Sequence, residues 1–230
     1  MEKEHISGNL PILRLSINTT FINDTIKVSI DTKMETKIKI INALDKNKKG
    51  VHIRELSRLV KTSYNNTVRN IKILEKENVI KKENDGNLIK IKIKNYPLAI
   101  AYLKLAHTEN FLSLPKKISN SVLDFINELS EKPLISLIFG SYAKGGYTND
   151  SDIDILLVFQ KISNQANIEN TAKRVSMKTN TKLSPVYLDY NNFQKNFLNK
   201  NHEFSSEIRQ NIIIITGIEY YYELSWRFLE

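Results

Sequence analysis

Residues 137–158 read LIFGSYAKGGYTNDSDIDILLV, and no other segment restricts the fold as strongly. Two short apolar runs rich in Ile, Leu and Val bracket a polar stretch, the pattern of two buried strands joined by a loop. The first strand is predicted over Leu134 to Phe139 and the second over 153–159. The chain must therefore bury both strands and leave whatever they bracket at one edge of the core. Gly140 ends the first strand, and the lack of a Cβ there lets a ligand approach the backbone closely. Ser141 adds a hydroxyl and a free N–H at a helix start, where phosphate is favoured. Lys144 adds a positive charge nearby. Ser151-Asp152-Ile153-Asp154 then enters the second strand.

Asp152 and Asp154 are two residues apart on that strand, so their side chains leave the same face. At a Cα separation of roughly 7 Å, two bare carboxylates repel by about 2 kcal/mol at an effective dielectric of 20. An apolar strand that presents two such charges makes sense with a hard cation between them. Oxygen-only ligands suit Mg²⁺, or Mn²⁺, with substrate phosphates completing the shell. A Gly-Ser or an Asp-x-Asp alone would ordinarily be a solvated turn. Their order and spacing between two apolar strands favours a site.

Around this segment helices and strands alternate. A helix over about Ser119 to Leu129 precedes it. Behind it follow a helix at 166–178, a strand at 183–188, short helices near 191–198 and 203–210, a strand at 212–216 and a final helix from Ile218. Tyr220, Tyr221, Tyr222, Leu224 and Trp226 in that last helix read as a packing face.

The front of the chain has a different grammar. Ile38, Ile41 and Leu44 mark one helix, and Ile53, Leu56 and Val60 a second. Thr62 or Ser63 caps a third, with Val68, Ile71 and Leu74 as its buried stripe. VIKKENDGNLIKIKIK then alternates around Asp85-Gly86 as a hairpin does, with Ile89, Ile91 and Ile93 inward and lysines outward. Three helices and a hairpin are the order of a winged helix-turn-helix. TSYNNTVRNIKILEKENVIKK is similar to the recognition helix and wing entry of small prokaryotic regulators of that class. Charge supports this assignment. Residues 34–95 hold 16 of the 34 Lys and Arg but only 7 of the 25 Asp and Glu; the rest of the chain carries 18 of each sign, so the net charge of +9 belongs to this segment. A confined basic excess points to a polyanion, and the resemblance to winged-helix regulators makes double-stranded DNA the expected one. Tyr64, Asn65, Asn66, Arg69 and Asn70 are expected to face outward from the recognition helix. Asn and Arg can read base edges. Lys72, Lys76 and the wing lysines Lys81, Lys82, Lys90, Lys92 and Lys94 suit phosphates.

These boundaries make four parts. Residues 1–33 are an N-terminal extension, with PILRLSI and TIKVSID as strands of a hairpin turning at Asn23-Asp24. Residues 34–95 are the winged helix and 96–117 a linker helix, packed through Leu98 to Leu105. Residues 118–230 are the catalytic part, giving an α+β chain with a mixed sheet. With no cysteine, thiolate chemistry and cysteine-ligated zinc are excluded. No run reaches the roughly 18 apolar residues of a membrane span, and the first residues do not read as a signal peptide. A cytoplasmic protein is expected.

GS-x-x-x-G, six residues, then D-x-D resembles the signature of DNA polymerase β-like nucleotidyltransferases, particularly the minimal prokaryotic ones with SD-x-D. The resemblance spans roughly Ser119 to Glu230. It implies metal-dependent attack of an acceptor hydroxyl on the α-phosphate of a nucleoside triphosphate, with release of pyrophosphate. It implies that Gly140, Ser141, Lys144 and Ser151 bind the nucleotide and that Asp152 and Asp154 ligate metal. Lys144 stands where minimal members often have Arg, which keeps the charge and loses the bidentate fork. The family places a third carboxylate on a later strand. Aligning KLSPVYLDYNNF by its strand and following helix puts Ser184 there, leaving Asp189, at the strand's C-terminal end and in another register, as the substitute catalytic acid. Three functions fit these features: an active transferase directed by a DNA-binding winged helix; a transcriptional regulator whose transferase-like domain senses nucleotide with little or no turnover; and an antitoxin-type transferase that modifies a partner toxin, as some minimal relatives do. A homodimer is the default for a DNA-binding winged helix.

Overall fold

The computed structural model describes residues 18–22, 25–29 and 32–228. The chain divides into two compact units, Met1–Glu35 and Thr36–Glu230. In the first, β1 (Asn18–Ile22) pairs antiparallel with β2 (Thr25–Ser29), Ile22 opposite Thr25. The second strand matches the expected TIKVSID. The expected strand PILRLSI and the Asn23-Asp24 turn lie outside the described residues.

The second unit opens with α1 (Thr32–Lys46), β3 (Val51–His52), α2 (Ile53–Leu59), α3 (Tyr64–Lys76), β4 (Ile80–Asp85) and β5 (Leu88–Ile93). The strands form a small sheet in the order β3-β5-β4, all antiparallel. This is a winged helix-turn-helix. Its core is Ile38, Ile41, Leu44, Val51, Leu56, Val60, Ile71, Leu74, Ile91 and Ile93, all buried. Ser63 caps α3, its hydroxyl accepting the Asn66 N–H at 3.2 Å. This choice over Thr62 sets which α3 residues turn inward. They are Thr67, Asn70, Ile71 and Leu74, whereas Val68 is only half-buried.

α4 (Tyr96–Leu112) follows, capped by Asn95 and carrying Pro97 in its first turn, where no intrahelical donor is needed. It buries Ala99, Tyr102, Leu103, Ala106, His107 and Phe111 and leaves Leu98 exposed. The remaining elements are α5 (Lys116–Glu128), β6 (Ile135–Ile138), α6 (Gly140–Lys144), β7 (Ile153–Phe159), α7 (Gln165–Thr179), β8 (Leu183–Asp189), α8 (Tyr190–Leu198), α9 (Glu203–Ile208), β9 (Ile213–Thr216) and α10 (Ile218–Arg227). The sheet order is β8-β7-β6-β9. β7 is antiparallel to β6 and parallel to β8, and β9 is antiparallel to β6, so the sheet is mixed and the fold α+β. Parallel pairing of β7 and β8 requires the crossover that α7 provides. β6 is buried at every position, and β7 everywhere except Asp154. Phe125, Ile138, Ile155, Leu157, Phe159 and Val175 join α5, the sheet and α7 in one core.

The winged helix and the four-stranded sheet meet across a buried polar chain. The Ile214 N–H donates to His107 Nδ1 at 3.2 Å, which leaves Nε2 as the protonated nitrogen facing Tyr222 Oη at 3.1 Å. Tyr222 Oη in turn donates to Asp45 Oδ2 at 3.0 Å, and the other Asp45 oxygen accepts from Lys48. Tyr221, Tyr222 and Leu224 are buried here, as expected of a packing helix, while Tyr220 is exposed.

Candidate active site and nucleic-acid interface

The Phe139 N–H donates to Asp154 O at 3.1 Å, continuing the β6–β7 ladder by one step and drawing Asp154 alongside the Gly140 turn. Gly140 has φ +66°, and a Cβ built on it would lie 2.1 Å from Asp154 Oδ2. The carboxylate thus rests on the bare backbone of the Gly-Ser turn, which only glycine permits. Ser141 is half-buried and Lys144 exposed. Asp152 is exposed, with Lys182 Nζ 3.9 Å from its Oδ1. Burial, the neighbouring Asp152 charge and, more weakly, Glu207 push the Asp154 carboxyl above its ordinary range, against the pull of Lys144. Two carboxylates crowded together with one of them losing hydration are relieved by a cation, and an all-oxygen donor set suits Mg²⁺ or Mn²⁺. Among the described residues, no group of three or more His, Cys, Asp or Glu gathers tightly enough for a metal.

One expectation needs correction. Ser184 does stand opposite Asp154 in the β7–β8 register, so the third-acid position holds a hydroxyl. Asp189, however, pairs with Phe159 at the far end of the strands. Five residues at about 3.3 Å each put it roughly 17 Å along the strand from the level of Ser184. Its carboxylate caps α8, accepting from Asn192 N at 2.9 Å and from Asn192 Nδ2 at 2.7 Å. Asp189 thus caps α8 and is not beside Asp154, where the substitute acid was expected. Ser151 Oγ accepts the Thr148 N–H at 2.8 Å and closes a turn.

A carboxylate that sequence reasoning missed lies beside the motif. Glu207 Oε1, on α9, accepts from Lys144 Nζ at 2.6 Å. No local pattern in HEFSSEIRQN marks it, because only tertiary packing brings α9 here. Two clefts flank the loop and share the stacked pair Tyr142 and Tyr147, whose centroids are 4.4 Å apart. One, of about 360 Å³, is lined by Lys144, Gly145, Lys46 and Asn211. The other, of about 420 Å³, is lined by Thr148, Ser151, Asn180 and Lys182. A third cleft, of about 500 Å³, lies at the winged-helix seam between Lys46, Lys48, Arg209 and Phe228.

Residues 120–210 match the sequence profile of the family described as "Polymerase beta, Nucleotidyltransferase". The chain carries a polymerase beta nucleotidyltransferase domain. No curated protein matches the chain. Distant likenesses exist among solved structures. One is a toxin–antitoxin structure with AMP-PNP, at 12% identity over 50% of this chain and 85% of that one, TM-score 0.38. Another is Lactococcus lactis ZitR in complex with DNA, at 12% identity over 51% of this chain and 84% of that one, TM-score 0.27. A third is TrmBL2, an archaeal chromatin protein, at 15% identity over 76% of this chain and 70% of that one, TM-score 0.24. Among the described residues, no helix is long and apolar enough to cross a membrane.

On the recognition helix Tyr64, Asn65, Arg69 and Lys72 are exposed, as expected. Asn66 and Asn70 are not free. Asn66 Nδ2 donates to Thr62 Oγ1 at 2.9 Å, and its Oδ1 accepts from Arg69 Nη2 at 2.9 Å and Asn70 Nδ2 at 3.1 Å. Asn70 is buried, its Nδ2 also held by Asn66 O at 2.9 Å. These amides build the helix-turn-helix corner. In the wing, Ile91 and Ile93 face inward, but Ile89 is exposed because the hairpin extends beyond the helices it packs on. Lys81 and Lys92 both pair with Glu83, Lys82 with Glu75 and Lys90 with Asp85. Such exposed pairs are worth little and exchange readily for phosphate.

Proposed function

We propose that this nucleotidyltransferase moves a nucleoside monophosphate from a nucleoside triphosphate to an acceptor hydroxyl, and that its winged helix binds double-stranded DNA. The observation that supports the first part is the Asp154 carboxylate seated over the Cα of Gly140, with the exposed Asp152 just before the start of β7. Ser141 would offer the triphosphate its hydroxyl at the start of α6, next to the Gly140 turn, and Lys144 would add a charge to it. Asp152 and Asp154 would hold Mg²⁺, or Mn²⁺, which when bound neutralises charge developing on the transferred phosphate. The chain's own residues hold and orient: the Gly-Ser turn fixes the triphosphate relative to the two aspartates, so the α-phosphorus faces an incoming hydroxyl in one geometry.

The test is incubation of the purified chain with each α-³²P-labelled nucleoside triphosphate and Mg²⁺, with and without RNA, DNA and cell extract. Label is expected on an acceptor with wild type and on none with Asp152→Asn/Asp154→Asn. A second reading, a regulator that senses nucleotide without turnover, is favoured by Ser184 at the third-acid position. Saturable triphosphate binding that alters DNA affinity, with no label transferred, would select it.

For DNA, Arg69→Ala is expected to weaken binding at a preferred site by about tenfold and to relax base preference, as loss of one base contact does. Lys72→Ala is expected to weaken all sequences alike and to flatten the salt dependence. Fluorescence anisotropy on a site selected from random duplexes distinguishes the two. Equal losses on selected and random DNA for Arg69→Ala would remove it from base reading.

A further inference from the structure

We infer that Glu207 supplies the carboxylate missing at Ser184, acting as the base that takes the proton of the acceptor hydroxyl; the inference rests on the transferase reading above. Neither candidate position on β8 puts a carboxylate beside Asp154. Ser184, opposite Asp154, has none, and Asp189 caps α8 at the other end of the strand. Glu207 reaches the same end from a helix. Its Oε1 lies 2.6 Å from the Nζ of Lys144, the charged residue of the Gly-Ser segment. Its charge is also felt at Asp154.

α9 is built to hold it there. Phe204 packs edge-on against Phe139, the residue before Gly140, with ring centroids 5.4 Å apart. Ser205 and Ile208 are buried. Tyr221 Oη donates to Ile208 O at 2.8 Å, and Arg209 Nη1 donates to Phe197 O at 2.6 Å. Glu207 itself remains partly open, its side chain 34% exposed, as a group that meets a substrate must be.

The step balances as follows. The acceptor oxygen forms a bond to the α-phosphorus while the bond from that phosphorus to the α–β bridging oxygen breaks, and pyrophosphate leaves. The acceptor's proton passes to a Glu207 oxygen and then to water. Before this, Lys144 must turn from Glu207 to the arriving triphosphate, which frees the carboxylate only when substrate is present.

The experiment uses the full chain with the acceptor and nucleotide found by label transfer. Glu207→Gln is expected to lower kcat by about 100-fold, the range of a lost general base. Affinity for the α,β-methylene analogue of that triphosphate, measured by calorimetry, is expected to hold or rise because Lys144 is released. Adding Ser184→Asp to Glu207→Gln is expected to restore at least about tenfold by returning a carboxylate beside Asp154. Wild-type turnover in Glu207→Gln, a parallel loss of analogue affinity, or no rescue by Ser184→Asp would each overturn the role while leaving the transferase reading intact. A wild type as inert as Asp152→Asn/Asp154→Asn would overturn that reading and Glu207 with it.

Discussion

Gly140→Ala is expected to remove nucleotide transfer almost entirely while leaving the chain folded. Two effects combine at this position. Its φ of +66° is a left-handed conformation, costing an L-residue roughly 1–2 kcal/mol. The larger effect is local: the new methyl would stand 2.1 Å from Asp154 Oδ2, far inside contact distance. The Gly140 backbone follows a strand buried on both faces and cannot retreat, so the Asp154 carboxylate must swing aside. Displacing a reacting group by about 1 Å can cost 100-fold. Transfer is therefore expected to fall by about 100-fold or more, with only a few degrees lost in Tm. Gly86→Ala is the control. Gly86 has a similar φ of +60° in the wing, nothing lies within 4 Å of its virtual Cβ, and it is remote from the motif in sequence. It should lose the same stability and keep transfer. If the two variants lose transfer equally, Gly140 matters only as a turn residue and the contact with Asp154 carries no function.

The catalytic motif was legible because its parts are local. Apolar strands on either side of 140–152 had to be buried neighbours, and a period of two put Asp152 and Asp154 on one face. Ser184 came from aligning KLSPVYLDYNNF with the family pattern, and the in-register pairing of β7 and β8 puts it opposite Asp154. Asp189 shows where such logic ends. A carboxylate on the right strand is useless at the wrong end of it, and five residues also reverse the face. Asn66 and Asn70 show a second limit. A polar residue next to an apolar stripe reads as exposed, but a short helix-turn-helix corner must satisfy its own donors, and small amides do this by turning inward. Ile89 erred in the opposite direction, because alternation says which face a side chain takes and not whether anything covers it. Glu207 had no signature at all: its place follows from Phe204 meeting Phe139, a contact across 65 residues of chain that no periodicity encodes.

Acid should unfold this protein through one histidine more than through any other single group described. His107 is 8% exposed and lies inside the chain from Ile214 to Asp45, with Nδ1 accepting and Nε2 donating. Burial, with a smaller contribution from Lys46, holds its pKa down to about 4. In the unfolded chain it would titrate near 6.5. Between these values the unfolded state binds the proton and the folded state does not, so stability falls as pH drops through this window and levels off below about 4. The shift corresponds to roughly 3 kcal/mol in full, of which about 2.5 kcal/mol is expressed between pH 7.5 and 4.5. Protonation also turns Nδ1 into a donor facing the Ile214 N–H, which breaks the link to β9. The other groups facing the chain are Tyr222, Asp45 and Lys48. Burial and the Asp45 charge hold the Tyr222 hydroxyl well above its usual range, so it stays neutral throughout. Urea unfolding at the two pH values should show wild type losing about 2.5 kcal/mol more than His107→Gln, which keeps a polar side chain and cannot titrate. Equal losses in the two proteins would mean that His107 titrates normally in the folded state, and that the seam between the winged helix and the catalytic sheet is open to water.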